Sequence, residues 1–421
     1  MRGDATTSAP TGSAARQRSE ASVIAYLAFM GVLLAFGIDS SLPAFDDIRA
    51  AFGLDPDSNR VTLVITLYFL GTAFGQLVYG PISDRYGRIP ALRLGIAVYS
   101  LGALGSILAP NFGLLLVSRL VWGLGAAAPG VLRAAIARDL YAGNQMARVI
   151  SVMMGFFLLG PVIAPIVGQA ILEVGSWEWV FGVALVLAAI LLAWTAWFGE
   201  TLDPADRRSF EFRSTMAGFR QVFTTRSTRR YTLTLTFGFG AFMVFLGSSQ
   251  PIIDDIYGRG DQFAFWFGAA AALMAVFFFS VNRFIDRFGA HRVAVASASL
   301  ALSLSAVLLL VALVGDGVPP FAVWIVLVAL ANAFTTLLTP SCYALGLEPM
   351  GELAGTASAV MGFVSIAVGS ALASVIDASI DTTVTPMALG YVVYLSIALV
   401  FLVGADAGAD EDTPALVSEQ D

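Results

Sequence analysis

The chain contains twelve long apolar runs separated by short polar segments. This pattern constrains the possible fold more than any other feature of the sequence. Each run is about 20 residues long, which is the length of an α-helix that crosses about 30 Å of hydrocarbon. Glycine and aliphatic residues fill the runs without the alternation typical of barrel strands. With 57% hydrophobic and 13% charged residues, the chain has too little polar surface for a soluble protein of its size. The sequence therefore predicts an all-α integral membrane protein.

The apolar runs fall into two sets of six, with a polar segment between the sets. The predicted spans are 23–45, 61–80, 91–109, 112–137, 147–173, 177–198, 231–252, 264–283, 290–314, 319–344, 355–378 and 386–404. Polar composition without an apolar stretch predicts a disordered tail at each end. The predicted parts are a tail at 1–21, a six-helix bundle at 22–198, a linker loop at 199–230, a second bundle at 231–404 and an acidic tail at 405–421.

A short charged motif occurs twice in this otherwise apolar sequence. Asp84-Arg85-Tyr86-Gly87 in the first half returns as Asp286-Arg287-Phe288-Gly289 in the matching place of the second half. A repeat at about half the chain length is typical of a duplicated membrane unit, as in many secondary transporters. We therefore expect two pseudo-symmetric halves of six helices each.

The arginine distribution predicts how the chain lies in the membrane. All 23 basic residues are arginines. If the N-terminus is cytoplasmic, nineteen of them lie at or near the cytoplasmic side, and only Arg49, Arg60 and Arg259 lie outside. Positive charge in excess marks cytoplasmic loops. The sequence thus predicts a multi-pass protein of the cytoplasmic (inner) membrane, with both termini in the cytoplasm.

Several enzyme classes lack their residues in this chain. Without lysine there is no phosphate-binding loop of the Walker type and no lysine Schiff base. One histidine (His291) and one cysteine (Cys342) cannot form a His/Cys zinc site. We therefore expect no enzyme, no cofactor, no metal ion and no nucleic-acid partner.

The segment at 80–88 resembles the signature loop of the major facilitator superfamily. Gly87 permits a tight turn, and the Asp84 carboxylate suits a helix N-terminus or an arginine partner. The resemblance implies a charge latch between the halves that breaks when the transporter changes orientation. A turn that only sets the topology is the alternative. The latch residues implied are Gly80, Asp84, Arg85, Gly87 and Arg88, with Asp286, Arg287 and Gly289 in the second copy.

Two ionisable residues lie within predicted spans, namely Asp39 in helix 1 and Arg119 in helix 4. Such groups are costly inside a membrane and are functional candidates, so we predict that they are partners in proton coupling. Helices 1, 4, 7 and 10 line the central cavity in the superfamily, and the resemblance places both residues there. The alternatives are a permanent structural ion pair or an Asp39 hydrated near the outer surface.

Helix 5 carries the sequence Gly160-Pro161 through Pro165 to Gly168, which resembles the superfamily motif associated with export. Its prolines remove backbone hydrogen bonds, and its small residues allow close helix approach. A packing kink without a transport role is the alternative. Gln169 replaces the second glycine of the usual pair.

Further motifs, at 177–181, 200–202, 249–251 and 354–359, are similar to those of the Bcr/CflA group of drug/proton antiporters, over residues 23–404. The resemblance implies a monomeric, proton-coupled exporter of small, moderately hydrophobic compounds that works by alternating access in the lipid bilayer. Aromatic walls with a few polar groups suit such substrates. The predicted cavity residues are Trp122, Phe242, Phe245, Gln250 and Asn332. A specific carrier of one polar metabolite and a non-transporting receptor or sensor are the alternatives.

Overall fold

The computed structural model describes residues 19–55, 58–207 and 212–406, and this part of the chain is helical without strands. The predicted tails at 1–21 and 405–421 fall mostly outside the described residues. The α-helices are α1 Glu20–Asp39, α2 Phe45–Ala51, α3 Leu63–Tyr86, α4 Arg88–Ile107, α5 Phe112–Leu140, α6 Gly143–Leu172, α7 Trp177–Phe198, α8 Phe212–Thr224, α9 Arg226–Pro251, α10 Phe263–Phe288, α11 Ala290–Val314, α12 Phe321–Thr336, α13 Leu338–Leu347, α14 Ala354–Asp377 and α15 Thr385–Asp406.

Twelve segments of the described chain are long and apolar enough to span a membrane, which confirms the predicted number. α7 and α11 have the predicted bounds, whereas several other helices extend past their apolar runs. The predicted turn at 80–88 is wrong in this respect: α3 continues to Tyr86, and only Gly87 leaves the helix, with φ 106°. The reason is that backbone hydrogen bonds carry a helix beyond the hydrocarbon, so charged residues do not mark its end.

The first membrane span is interrupted between α1 and α2, near the distal end of the span. α1 stops at Asp39, a 3₁₀ turn follows at Leu42–Ala44, and α2 resumes the span. Pro43 in the turn has no amide hydrogen to continue the helix. The hydroxyl groups of Ser40 and Ser41 instead donate to backbone carbonyls of α1, at 2.5 and 2.9 Å. In the second half, a π-helical turn at Ile252–Ile256 follows α9 in a similar way.

Each half is held together by close helix pairs. In the first half, α5 packs against α3 and α4, and α1 packs against α6. In the second half, α9 packs against α14 and α15. Glycine makes the closest approach possible, since a Cβ atom at Gly123 of α5 would overlap the backbone carbonyl of Tyr68 on α3. The halves meet where α3 packs against α14 and α6 against α10.

The bundle has two ends, which the chain termini distinguish. An even number of spans returns the chain to the side from which it started, so Glu20 and Asp406 share one end, the terminal face. The opposite end, the distal face, holds the connections at 42–62, 252–262 and 378–384. α8 lies in the predicted linker at 199–230 and packs against α14. The linker therefore contains a helix as well as loop.

Candidate functional site

Asp39 and Arg119, the predicted partners in proton coupling, form no ion pair with each other in this structure. Asp39 is the last residue of α1 and is only 3% exposed, yet its carboxylate forms no ion pair with any described residue. The Arg119 Nε donates to the carbonyl oxygen of Val64 on α3, at 3.1 Å. Its Nη1 and Nη2 atoms are buried and make no hydrogen bond. The first half thus contains two buried ionisable groups that form no direct ion pair with each other.

Aromatic rings hold Arg119 away from a direct pair. Its guanidinium carbon lies 4.7 Å from the ring centres of Tyr68 and Trp122, and 5.5 Å from that of Phe181. The faces of these rings attract a cation and partly replace a carboxylate partner. The rings come from α3, α5 and α7, so the cage exists only after these three helices have packed.

Tyr68 contacts both α1 and Arg119. The Arg119 guanidinium lies over its ring. Its hydroxyl donates to the carbonyl oxygen of Leu34, at 3.4 Å, and lies against Gly37 of α1, where a Cβ atom would come within 2.6 Å. Tyr68 therefore packs between the guanidinium group and the helix that ends at Asp39.

The motif of the fifth span packs directly beside Asp39. A Cβ atom at Gly160 would overlap the Ala35 side chain, and one at Gly168 would overlap the carbonyl oxygen of Ser40. The prediction of close helix approach is confirmed at both glycines. Pro161 and Pro165 lie inside α6, which continues through them without interruption. The motif thus forms a tight seam between α1 and α6.

Most of the predicted cavity residues do not face open space in this structure. Trp122 is 1% exposed and packs edge-on against Phe181 and Tyr99 in the core of the first half. Phe245 is buried and stacks on Phe267, at a centroid distance of 5.4 Å. Asn332 is buried as well. Large apolar side chains at the centre of a bundle pack against neighbouring helices first, which the sequence pattern alone does not distinguish from cavity lining.

Two other predicted cavity residues have different positions. Gln250 is buried at the distal face, where its amide donates to Asp254 at 3.1 Å and to Asp46 at 3.5 Å. It therefore joins the halves instead of lining a cavity. Phe242 remains partly exposed and packs near Phe239, which contacts Phe69 of the first half. Of the five predicted residues, only Phe242 is not buried, and its role in a substrate cavity stays a prediction.

The first copy of the repeated motif forms a charge network within its own half. The buried Arg88 donates from Nε to Asp139 at 2.9 Å, and from Nη1 to the Ser83 hydroxyl and to Asp84. The Glu200 carboxylate accepts from the backbone amides of Arg88 and Ile89, at the N-terminus of α4. A carboxylate at this position accepts hydrogen bonds from amides that lack a partner within the helix, and its charge offsets the positive end of the helix dipole.

Gly87 is required by this network. Its φ of 106° disfavours any residue with a side chain, and a Cβ atom there would collide with the Glu200 carboxylate. The role of the motif as a latch between the halves remains a prediction, since Asp84 pairs here with Arg88 of the same half. Gly80 and Arg85 lie in the last turns of α3.

The second copy of the motif lacks this network. Asp286 forms no ion pair within the described residues, and Arg287 lies over the ring of Phe288, at 5.4 Å. Gly289 repeats the left-handed conformation, with φ 83°, but a Cβ atom there would meet nothing within 4 Å. The repeat has therefore kept the backbone of the turn without its charge partners.

A cluster at the distal face joins the halves, and we call it the distal gate; it consists of Asp46, Arg49, Gln250, Asp254 and Asp255. The buried Arg49 donates from Nη1 to Asp46 of its own half at 2.6 Å, and from Nη2 to Asp255 of the other half at 2.9 Å. The sequence predicted Arg49 only as an arginine outside. Charged residues just beyond two apolar runs could have indicated a contact between the halves, but the sequence does not show which of these residues pair.

Further polar contacts close the same face. The side-chain amide of Asn59 donates to the carbonyl oxygen of Ile380 in the other half. Gln169 donates to the carbonyl oxygen of Asp261, at 3.2 Å. These contacts join first-half residues to second-half residues and lie at the distal ends of the spans. The distal face is thus closed by direct contacts between the halves.

An apolar groove of about 500 Å³ lies where α6 approaches α10. It occupies the part of α6 nearer the terminal face and is lined by Ser151, Val152, Gly155, Phe156, Leu159 and Phe279. Such a lining suits acyl chains or other apolar molecules.

Comparison with known proteins agrees with this architecture. The family model described as Major Facilitator Superfamily matches residues 27–374. The chain is 30% identical over 375 residues to the bicyclomycin resistance protein homolog of Haemophilus influenzae, covering 88% of this chain and 93% of that protein. It is 27% identical to multidrug resistance protein D of Escherichia coli, covering 76% and 79%.

Two further similarities concern one relative and one solved structure. The chain is 28% identical to a chloramphenicol resistance protein of Pseudomonas aeruginosa, covering 64% of this chain and 62% of that protein. The crystal structure of a D-xylose-proton symporter superposes with a TM-score of 0.71 at 16% identity, covering 92% of this chain and 97% of that one. At this identity the superposition shows a shared fold. The chain belongs to the major facilitator superfamily of membrane transporters.

Proposed function

We propose that this transporter exports small, moderately hydrophobic compounds in exchange for protons, by alternating access across the cytoplasmic membrane. The observation that carries this proposal is the Asp39 carboxyl group, buried beside the α1–α6 seam without an ion-pair partner. In this proposal the terminal face is cytoplasmic and the transporter works as a monomer.

Proton coupling follows from the chemistry of Asp39. A carboxyl group buried without a direct counter-ion is much more stable in its protonated form, while a nearby guanidinium favours the ionised form. Arg119 makes no ion pair with Asp39; its guanidinium group lies over the ring of Tyr68, whose hydroxyl lies against Gly37 of α1. A substrate or water that reaches Asp39 changes this balance, so the carboxyl group binds a proton in one orientation and releases it in another. One proton that moves down about 100 mV supplies roughly 2.3 kcal/mol.

Alternating access is supported by the uneven closure of the bundle. Direct polar contacts hold the halves together at the distal face, and the Arg49–Asp255 pair crosses between them. Opening of that face requires these contacts to separate, while rocking of the halves closes the other face. In this state we expect the substrate path to face the terminal side.

Export of apolar compounds is supported by two independent features. Two relatives that match over three quarters or more of this chain carry names of drug resistance, which come to this chain as part of the proposal. The apolar groove beside α6 adds a route by which a compound dissolved in the adjacent membrane leaflet reaches the interior. The tight seam at Gly160 and Gly168 then separates this route from the distal face.

The test uses inside-out vesicles that have been acidified, with proton release followed by a pH-quenched dye. Cationic, neutral and phenicol-like compounds are added in turn to vesicles that contain wild type, Asp39→Asn or Asp39→Glu. Asp316→Asn is the matched control, because Asp316 is an exposed distal carboxylate with φ 50°, a conformation that asparagine tolerates.

We expect wild type and Asp316→Asn to release protons with the same compounds, Asp39→Glu to release fewer, and Asp39→Asn to release none. Equal responses of wild type and Asp39→Asn would move the coupling to another residue. A wild type that responds to no compound would argue for a specific carrier of a metabolite outside the panel or for a receptor.

A further inference from the structure

A second buried carboxyl group lies in the other half of the transporter, outside the site described above. Asp377 ends α14 near the distal face and is 1% exposed. The Ser248 hydroxyl of α9 donates to its Oδ1 at 2.5 Å. Its Oδ2 lies against Gly247, where a Cβ atom would come within 2.7 Å. At the point where α9 contacts the Asp377 carboxyl group, it therefore has a glycine and a serine that donates a hydrogen bond.

No positive charge in the described part of the chain offsets this carboxyl group. Asp377 forms no ion pair with any described residue. The titratable groups that face it are Tyr391 and Tyr394 of α15, and α9 offers Ser248. Arg60, in the neighbouring 3₁₀ turn at Asn59–Thr62, is exposed and does not pair with it. The C-terminal end of a helix, where carbonyl groups point outward, further disfavours a negative charge.

Polar atoms with unused bonding capacity occur around the same helices. The Asn332 amide donates to the Tyr391 hydroxyl at 2.8 Å, while its Oδ1 atom is buried without a partner. The hydroxyl groups of Ser249 on α9 and Ser370 on α14 are also buried without partners. Buried polar atoms that lack partners are uncommon in folded proteins. The helices that surround the Asp377 carboxyl group therefore carry further buried polar atoms in an otherwise apolar half.

Asp377 is also placed next to a contact that changes during transport. Three residues beyond it, the carbonyl oxygen of Ile380 accepts the Asn59 amide of the first half. Separation of the halves at the distal face breaks this contact and exposes the end of α14 to water. The carboxyl group is then the first titratable side chain of α14 that the water reaches, since the remainder of that helix contains no other ionisable residue.

We propose that Asp377 is a second proton-binding site of the transport cycle, which takes up its proton from the distal side when the Asn59–Ile380 contact opens. The proposal rests on the proposed proton-coupled function and adds a site in the other half. When the distal face closes, the carboxyl group keeps this proton at first, because it has no counter-ion among the described residues. It releases the proton toward the terminal side when water or substrate enters the path that faces that side. Each cycle then moves protons through Asp39 and Asp377.

The first test is infrared difference spectroscopy of the purified full-length protein, with the C=O band of protonated carboxyl groups followed across neutral pH in H₂O and D₂O. The samples are wild type, Asp377→Asn, Ser248→Ala and the matched control Asp381→Asn, an exposed carboxylate four residues away. We expect a band that Asp377→Asn removes, Ser248→Ala shifts and Asp381→Asn leaves unchanged. Superimposable spectra of wild type and Asp377→Asn would overturn the proposal.

The second test measures ethidium and chloramphenicol in proteoliposomes, as accumulation driven by a pH gradient and as counterflow without a gradient. Asp377→Asn should retain counterflow but lose about tenfold in accumulation for a gradient of about one pH unit, because one coupled proton contributes that factor. Accumulation equal to that of wild type would also overturn the proposal. If wild type transports neither probe, the proposed function fails, whereas the infrared result still decides whether Asp377 is protonated.

Discussion

Arg49 of the first half binds Asp255 of the second half at the distal face, with 2.9 Å between Nη2 and Oδ2. Arg49 is buried, and it also binds Asp46, so one guanidinium group holds two carboxylates from different halves. This arrangement makes the closed distal face depend on a small number of charged atoms. It is therefore the first place at which the conformational equilibrium can be changed by substitution.

Substitution of Arg49 should open the distal face. We expect Arg49→Gln to shift the ratio of open to closed states about fivefold, from the loss of about 1 kcal/mol for a partly exposed pair. Spin labels at Val174→Cys and Val314→Cys, both exposed near the distal face, report the distance between halves in a Cys342→Ser background. Longer distances in Arg49→Gln are expected. Arg259→Gln is the control, because Arg259 packs on Phe321 of its own half, and equal shifts in both variants would contradict the gate.

The network at Arg88 should contribute to stability, whereas its second copy should not. Asp139→Asn leaves a buried arginine with one carboxylate fewer, which costs about 3 kcal/mol for a broken buried pair. We expect a lower midpoint of thermal unfolding for the purified protein in detergent. Asp286→Asn, at the matching motif of the second half, should leave the midpoint unchanged. A comparable decrease in both variants would show that the network has no special role.

The two motif glycines separate backbone strain from collision. Gly289→Ala should cost about 1 to 3 kcal/mol from its backbone alone, because φ 83° with ψ 148° is a conformation that almost only glycine adopts, and no atom lies within 4 Å of the new Cβ. Gly87→Ala adds a collision with the Glu200 carboxylate and should destabilise the protein further. Chemical denaturation of both variants checks the order. A Gly289→Ala variant that is the less stable of the two would refute the assigned role of Glu200.

The seam between α1 and α6 should tolerate no additional atom at Gly168. Gly168→Ala places a methyl group on the carbonyl oxygen of Ser40, next to Asp39, and should cost about 1 to 3 kcal/mol. We also expect weaker efflux of ethidium from cells at equal protein level. Gly182→Ala in α7 is the control, because its Cβ atom would meet nothing within 4 Å. Normal efflux and stability of Gly168→Ala would remove the packing role of the motif.

Local features of the sequence predicted the spans well because the length and apolarity of a helix are local properties. α7 and α11 begin and end at the predicted residues. The C-terminal end of α3 and the N-terminal end of α9 were predicted less well, because helical hydrogen bonding continues into polar residues such as Asp84 and Arg226. The glycines of the fifth span were also recognisable, because only a small residue permits helices to approach so closely.

The partners of charged side chains were not accessible in the same way. Asp39 and Arg119 form no direct pair, because rings from α3, α5 and α7 converge on the guanidinium group. Their role in proton coupling stays a prediction. Most of the predicted cavity residues were likewise buried or placed in the distal gate, since the direction of a side chain depends on how a helix is rotated against its neighbours.

Twelve membrane-spanning helices, in two related halves of a major facilitator transporter, follow from the sequence alone. Hydrocarbon thickness and the cost of unpaired backbone groups leave few alternatives for twelve long apolar runs. The pairing of charges became visible only in the folded bundle: Arg49 meets Asp255, Arg88 meets Asp139, and among the described residues neither Asp39 nor Asp377 meets a cation. These outcomes follow from contacts between helices that are distant in the chain, and such contacts depend on the packing of the whole bundle.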